Sequence, residues 1–208
     1  MKIYYESFKS ASENMRFDES LLEKKENCIR LYEWQNPGIT YPEKRALPED
    51  LHHLDHATRI TGGGIVFHSS GDVVITVMAR LDDPNFPSKL KEKLYRITEW
   101  IQAALKICGI YAKLKETQPS EKNLQFCQSY FSPYELYSEG VKVCGLTLKK
   151  YREYFILQGI LHLANTEDYF ADLPKFYHPF FSKGILPTKY AEEVMQALKI
   201  TPLLVSKL

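Results

Sequence analysis

The sequence lacks the features that would direct a protein to a membrane or to nucleic acid. Its formal net charge is +1, so no field of one sign would attract a polyanion to the whole surface. No apolar run approaches the ~18 residues typical of a transmembrane helix. The N-terminal stretch, MKIYYESFKSASENMRFDES, contains no apolar core of a signal peptide. We therefore expect a cytoplasmic protein that binds neither a membrane nor nucleic acid.

Cysteine is also scarce, and its spacing is not that of a disulfide or zinc framework. The chain contains 4 cysteines and no CxxC pair. The cysteines are Cys28, Cys108, Cys127 and Cys144. Free thiols in a reducing compartment fit this pattern. His52, His53 and His56 cluster in a polar loop, and because no further ligand is close in sequence we predict no metal site there.

Helical and strand patterns are interspersed along the chain, which predicts an α+β fold. Hydrophobic residues recur with helical periodicity in 11–26, after Pro87 and in 188–200. Strand patterns occupy the segments 28–34, 57–60, 72–79, 134–150 and 154–163, the last of which also fits a short helix. The pair Glu139-Gly140 predicts a hairpin within 134–150. Because hairpins occur among the strands, we predict a mixed, largely antiparallel sheet flanked by helices.

Three consecutive glycines, Gly62, Gly63 and Gly64, lie between the strand segments 57–60 and 72–79. Glycine costs conformational entropy on folding, so a triplet indicates that something approaches the backbone closely. One interpretation is a tight turn that joins the two strands as an antiparallel hairpin. The other is a nest of amide groups, or a bare backbone wall, that accepts an anion or a flat ligand. The spacing is not that of a dinucleotide-binding loop or a P-loop.

The glycines belong to the segment Arg59-Ile-Thr-Gly-Gly-Gly-Ile-Val-Phe-His68. It resembles the R-x-T-G-G-G-x-V-F-H signature of the lipoate–protein ligase and octanoyl or lipoyl transferase family, whose catalytic domain is related to that of biotin–protein ligase. Further segments resemble family motifs in the expected order: 13–19 the N-M-x-x-D-E helix, 31–37 the R-x-Y-x-W-x-x-P strand, 134–145 the Y-E-(I/L)…G-x-K-(I/V)-x-G hairpin, and 158–161 the H/Q-G-(S/T)-(I/L)-L strand. The resemblance covers residues 11–165 and implies the α+β fold of that family.

The resemblance also implies roles for residues at matching positions. Lys142 matches the family's catalytic lysine, and a fixed cation there favours the oxyanion that develops in acyl transfer. Its other interpretation is a solvated lysine of a hairpin. The residues placed around lipoate or its adenylate are Arg59, Thr61, Gly62, Gly63, Gly64, His68 and Gly145. Asp72 is interpreted as a turn residue in preference to a magnesium ligand, and His68 equally fits a structural histidine.

Cys127 separates two classes of enzyme. The segment 126–136 resembles the C-F…Y-E-(I/L) segment of the transferase branch, in which a cysteine takes the acyl group as a thioester. A cation such as Lys142 beside this cysteine would favour the nucleophilic thiolate. The alternative is that Cys127 is a small buried hydrophobic residue.

The first hypothesis for the function is a lipoate–protein ligase that uses ATP and magnesium to form lipoyl-AMP and then modifies a carrier-domain lysine. The alternatives are a cysteine-dependent transferase of octanoate or lipoate, and an inactive homologue that only binds lipoate or a lipoyl domain. Expected partners are lipoyl domains of 2-oxoacid dehydrogenases or the glycine-cleavage H protein. We expect one catalytic domain over residues 1–208 without a C-terminal accessory domain, so that an accessory protein could be needed. Acyl-chain specificity stays open, because the usual G-S-A-Q is Gly145-Leu-Thr-Leu148 here.

Overall fold

Two β-sheets frame the fold in a computed structural model, which describes residues 1–114, 125–129, 132–185 and 190–201. The strands are β1 Lys2–Tyr4, β2 Cys28–Glu33, β3 Gly38–Pro42, β4 His56–Arg59, β5 Val66–His68, β6 Val73–Arg80, β7 Lys113–Leu114, β8 Leu136–Ser138, β9 Val141–Tyr151 and β10 Tyr154–Leu161. The helices are α1 Ala11–Glu23, α2 Leu90–Ile107, α3 Glu167–Phe170 and α4 Ala191–Ile200. The large sheet has the order β1-β2-β6-β10-β9-β8-β7, and the small sheet has the order β4-β3-β5.

Most of the strand pairs are antiparallel. Among the described strands of the large sheet, β1 and β2 are parallel and the other neighbours are antiparallel. In the small sheet β3 pairs in parallel with β4 and antiparallel with β5. The predicted α+β class, with a mixed and largely antiparallel sheet flanked by helices, is therefore confirmed.

Helices cover both faces of the large sheet. The helices α2 and α4 pack on the face that carries Val73 and Ile75, because side chains two residues apart in β6 point the same way. The helix α1 packs on the opposite face, where Leu21 lies in one hydrophobic cluster with Met78. A separate cluster under the small sheet contains Phe67. Among the described residues, none of the helices is both long and apolar enough to cross a membrane.

The structure contradicts the interpretation in which the glycines join the segments 57–60 and 72–79 as one antiparallel hairpin. The strand β4 pairs with β3 in the small sheet, whereas β6 lies between β2 and β10 in the large one. The chain forms β5 before it reaches β6, so the glycines connect two strands that flank β3. The hairpin pattern failed because strand pairing depends on contacts that are distant in sequence.

Other local predictions are confirmed. Glu139 and Gly140 both have positive φ, 51° and 82°, and they join β8 to β9. The segment 154–163, which also fitted a short helix, contains the strand β10. The C-terminal helix was predicted over 188–200, of which 188–189 lie outside the described residues.

Candidate active site

Cys127 is held beside the glycine segment by a short backbone bridge. The Ile65 amide donates to the Gln125 carbonyl at 2.8 Å, and the Cys127 amide donates to the Ile65 carbonyl at 2.8 Å. The neighbouring Phe126 ring stacks on Phe180, with 4.2 Å between the ring centroids. These contacts fix the position of Cys127 relative to the small sheet.

The three glycines differ in what a side chain at each position would meet. A Cβ on Gly64 would lie 2.5 Å from the Cys127 amide nitrogen, so the close approach at Gly64 is that of this chain's own backbone. Gly63 has a φ of +95°, which residues with a side chain rarely adopt. A Cβ on Gly62 would lie 3.9 Å from Thr147 Oγ1, an ordinary van der Waals contact, so a methyl group there would meet no obstacle among the described residues beyond its chain neighbours. The positive φ of Gly63 fits a turn, and the ligand-wall interpretation stays a prediction.

Lys142 lies on the β8–β9 hairpin, and its side chain contacts Cys127. Lys142 Nζ lies 2.7 Å from the Cys127 carbonyl oxygen and 3.7 Å from Cys127 Sγ. The same nitrogen lies 2.6 Å from Glu135 Oε1. The lysine is 5% exposed, so it is not the solvated hairpin lysine of the alternative interpretation. Glu135 belongs to the Y-E-(I/L) motif, but the motif gives no sign of its pairing with Lys142.

Burial and charge act in opposite directions on this ion pair. Burial lowers the pKa of the Lys142 ammonium, but charges on Cys127 and Glu135 and hydrogen bonds to both raise that pKa above its ordinary value. Burial also raises the pKa of Glu135, and Lys142 only partly offsets this. The stable arrangement is therefore a protonated lysine between two groups that can carry negative charge.

Arg59 holds the glycine segment in place. Its Nη2 donates to the carbonyl oxygens of Gly62 at 2.8 Å and Gly64 at 2.5 Å. Its Nη1 donates to Thr40 Oγ1 at 3.2 Å. Burial lowers the pKa of Arg59 to about 10, and a charge on Cys127 partly opposes this effect. The guanidinium thus organises the backbone around the candidate site.

His68 and Thr61 are both buried in hydrogen-bonded positions. The His68 ring stacks on Trp34 at 4.0 Å between centroids, and its Nε2 shares a 2.8 Å hydrogen bond with Thr40 Oγ1. Burial holds the pKa of His68 well below its ordinary value, so the ring is neutral. Thr61 Oγ1 donates to Gln158 Oε1 at 2.6 Å. The Gln158 amide in turn donates to Asp18 Oδ2 at 2.7 Å.

A cavity of 340 Å³ lies over this group of residues. The glycine segment, Cys127, Glu135, Gly145 and Gln158 line it, as do Arg59 and His68. Its volume is at the small end of the range of about 300–1,000 Å³ for small-molecule sites. Lys142 contacts two lining residues, Cys127 and Glu135, whereas Thr61 lies behind Gln158.

Asp72 and two histidines of the polar loop lie in hydrogen-bonded positions. The buried Asp72 carboxylate accepts hydrogen bonds from the amides of Ser69, Leu163 and Ala164, at 3.0, 2.9 and 3.3 Å, so it anchors the start of β6 to the end of β10. His52 and His56 each hydrogen-bond to a backbone carbonyl oxygen. Within the described residues, no group of three His, Cys, Asp or Glu side chains is placed to hold a metal ion.

Known proteins share this sequence pattern and fold. The family described as the lipoyl protein ligase A/B catalytic domain matches residues 10–194. The octanoyltransferase LipM of Carboxydothermus hydrogenoformans is 25% identical, and the alignment covers 80% of this chain and 66% of that protein. The chain thus spans just under two thirds of that relative's length.

Two solved structures establish the fold. A T. acidophilum protein with bound lipoic acid gives a TM-score of 0.69 at 15% identity, over 95% of this chain and 82% of that chain. An ATP-bound lipoate-protein ligase A gives 0.69 at 16% identity, over 95% of this chain and 83% of that chain.

Proposed function

This chain belongs to the lipoyl protein ligase A/B catalytic-domain family, and we propose that it is a cysteine-dependent acyltransferase. It moves an octanoyl or lipoyl group from a thioester donor to a lysine of a lipoyl carrier domain. In this proposal residues 1–208 act as one catalytic domain. The acceptor is a lipoyl domain of a 2-oxoacid dehydrogenase or the glycine-cleavage H protein.

The observation that carries the proposal is the placement of Cys127 against Lys142. A thiol needs a nearby cation to be held as the nucleophilic thiolate, and Lys142 Nζ is 3.7 Å from Cys127 Sγ. Cys127 also lines the cavity, so an acyl chain lying there would present its carbonyl carbon to the sulfur. The similarity to an octanoyltransferase supports the same assignment.

Acyl transfer then proceeds in two half-reactions. The Cys127 thiolate sulfur bonds to the thioester carbon, and the donor's sulfur leaves with the electron pair of the broken C–S bond. This leaving thiolate takes a proton from water, which offsets the proton that Cys127 released to water when it became a thiolate. The amides of Gly62, Gly63 and Gly64 border the cavity, and within the described ranges none of them donates a hydrogen bond. They and Lys142 are the groups that would stabilise the oxyanion of the tetrahedral intermediate.

The second candidate is the ATP-dependent lipoate–protein ligase. The same amide groups favour it, because a nest of N–H groups suits a phosphate as well as an oxyanion. The Lys142–Glu135 ion pair argues against the ligase. Glu135 would present a carboxylate to the triphosphate, and it neutralises the lysine that should attract the triphosphate. The residues present therefore fit a thioester better than ATP and magnesium.

Intact-protein mass spectrometry tests the proposal. Incubation with octanoyl-loaded acyl-carrier protein and no ATP should add one octanoyl group to Cys127. The Cys127→Ser variant should not be acylated, since a hydroxyl without a base is a poor nucleophile. The control Cys108→Ser removes a thiol at the end of α2 and should behave like the wild type.

The ligase has a different signature. A lipoate-dependent exchange of pyrophosphate into ATP that persists in Cys127→Ser would establish the ligase and overturn the proposal. Binding of lipoate with neither reaction would identify an inactive homologue.

A further inference from the structure

Glu135 is a fixed, buried carboxylate whose contacts converge on Lys142. Its side chain is 3% exposed, and Oε1 lies 2.6 Å from Lys142 Nζ. Its Oε2 accepts hydrogen bonds from the Ser132 amide at 3.1 Å and from the Tyr137 hydroxyl at 3.4 Å. These donors hold the carboxylate in one orientation, and together with Lys142 they partly offset the burial that raises the pKa of Glu135. Glu135 also lines the cavity.

The charge around Lys142 changes during the proposed reaction. Among the described residues, the Cys127 sulfur and Glu135 are partners of the ammonium that can be anionic before acylation. Once Cys127 is a thioester its sulfur carries no charge, whereas the Glu135 carboxylate still contacts Lys142. Burial disfavours the charged ammonium, so removing the Glu135 charge at this stage shifts Lys142 towards its neutral form.

We propose that Glu135 is a positioning residue that keeps Lys142 charged after Cys127 has been acylated, so that the cation is present when the acceptor amine attacks. The inference rests on the proposed function. It makes Glu135 important for the second half-reaction and far less so for the first, in which the Cys127 thiolate itself stabilises the ammonium.

The second half-reaction balances without a further reactant. The acceptor's amine nitrogen bonds to the acyl carbon, and the electrons of the carbonyl double bond move to its oxygen. The C–S bond then breaks, its electron pair leaves with Cys127 Sγ as a thiolate, and the proton lost by nitrogen goes to water. Lys142 stays protonated throughout and stabilises the oxyanion electrostatically.

Glu135→Gln tests this role because it removes the charge and keeps the shape. The two half-reactions are measured separately in single turnovers, with octanoyl-loaded acyl-carrier protein as the donor and a purified lipoyl domain as the acceptor. We expect acylation of Cys127 within about threefold of the wild type and transfer to the acceptor slower by about 10²-fold, the scale of losing one oxyanion contact. The acyl-enzyme should therefore accumulate in the variant.

Glu139→Gln is the matched control, because Glu139 is exposed in the turn of the same hairpin. It should leave both half-reactions unchanged. A second variant pair uses Lys142→Arg, since arginine keeps its charge without a counter-ion. Adding Glu135→Gln to Lys142→Arg should slow transfer by less than about threefold.

Three results would overturn the inference. Equal slowing of both half-reactions would mean that Glu135 only maintains the structure of the site. Normal transfer by Glu135→Gln would mean that Lys142 stays charged without the Glu135 carboxylate. If the wild type forms no thioester at all, the proposed function fails together with the inference, and this is recognised before any variant is compared.

Discussion

Gly145 leaves the space that the Cys127 thiol occupies. A Cβ on Gly145 would lie 3.3 Å from Cys127 Sγ and 3.5 Å from Lys142 Cε. Gly145 therefore lets the sulfur lie against β9 within reach of the lysine.

This spacing predicts the effect of Gly145→Ala. The added methyl group should push the sulfur away from Lys142 by a few tenths of an ångström and slow acylation by about tenfold, because small misplacements of reacting groups are costly. The rate of Cys127 alkylation by iodoacetamide and the rate of thioester formation measure the effect. Unchanged rates, with thermal unfolding also unchanged, would show that the site tolerates the methyl group.

Removing the cation should affect chemistry more than folding. We expect Lys142→Ala to lower octanoyl transfer to a lipoyl domain by about 10²–10³-fold, the scale of losing a positioned oxyanion-stabilising group. Lys150→Ala is the control, because Lys150 lies on the same strand and is exposed. Transfer by Lys142→Ala within a few-fold of the wild type would refute the role of the lysine.

The glycines should differ in their tolerance of a methyl group. Gly64→Ala should lower the free energy of unfolding by about 1–3 kcal/mol, because its Cβ would overlap the backbone of Phe126 and Cys127. Gly62→Ala should change the free energy of unfolding by less than about 0.5 kcal/mol. Apart from its chain neighbours, the nearest described atom would lie 3.9 Å from the new Cβ. Urea denaturation compares the two. Equal losses would mean that the close approach at Gly64 does not exist in solution.

The neutral state of His68 predicts how stability depends on pH. Burial holds the pKa of His68 well below its model-compound value of 6.5, whereas the unfolded chain binds a proton near that pH. The unfolded state thus binds more protons below about pH 6.5, and the free energy of unfolding falls as pH falls, by up to about 1.4 kcal/mol per pH unit. The His68→Gln variant lacks this contribution to the pH dependence of the free energy of unfolding.

Urea denaturation of the wild type and of His68→Gln between pH 7 and pH 5 measures the dependence. The stability advantage of the wild type should shrink as the pH falls. An advantage that stays constant with pH would mean that His68 has the same pKa in the folded and the unfolded protein.

The structural features that depend on residues adjacent in sequence could be predicted. The Glu139–Gly140 turn could be predicted because Gly140 readily adopts the positive φ that the turn needs, and the turn places Lys142 at the start of β9. The family motifs then singled out Cys127 and Lys142, whose contact the structure contains.

Long-range packing could not be predicted in the same way. The obstacle at Gly64 is the backbone at Phe126, far away in sequence, so the triplet could be interpreted equally as a turn or as a ligand wall. The hairpin that was predicted instead of the small sheet failed for the same reason, because β4 finds its partner in β3 across a long loop. The pairing of Glu135 with Lys142 depends on how β8 meets β9, and the spacing of the two residues alone carries no sign of it.

The two residues of the proposed dyad are supported by different hydrophobic clusters. Phe126, next to Cys127, packs with Phe67 and Tyr177 under the small sheet, whereas Val143, next to Lys142, packs with the α2 side of the large sheet. The distance between Cys127 Sγ and Lys142 Nζ therefore depends on how the two hydrophobic clusters pack against each other. Heating or distant substitutions that loosen this docking would separate nucleophile from cation while each cluster remained folded, so inactivation could precede any loss of secondary structure.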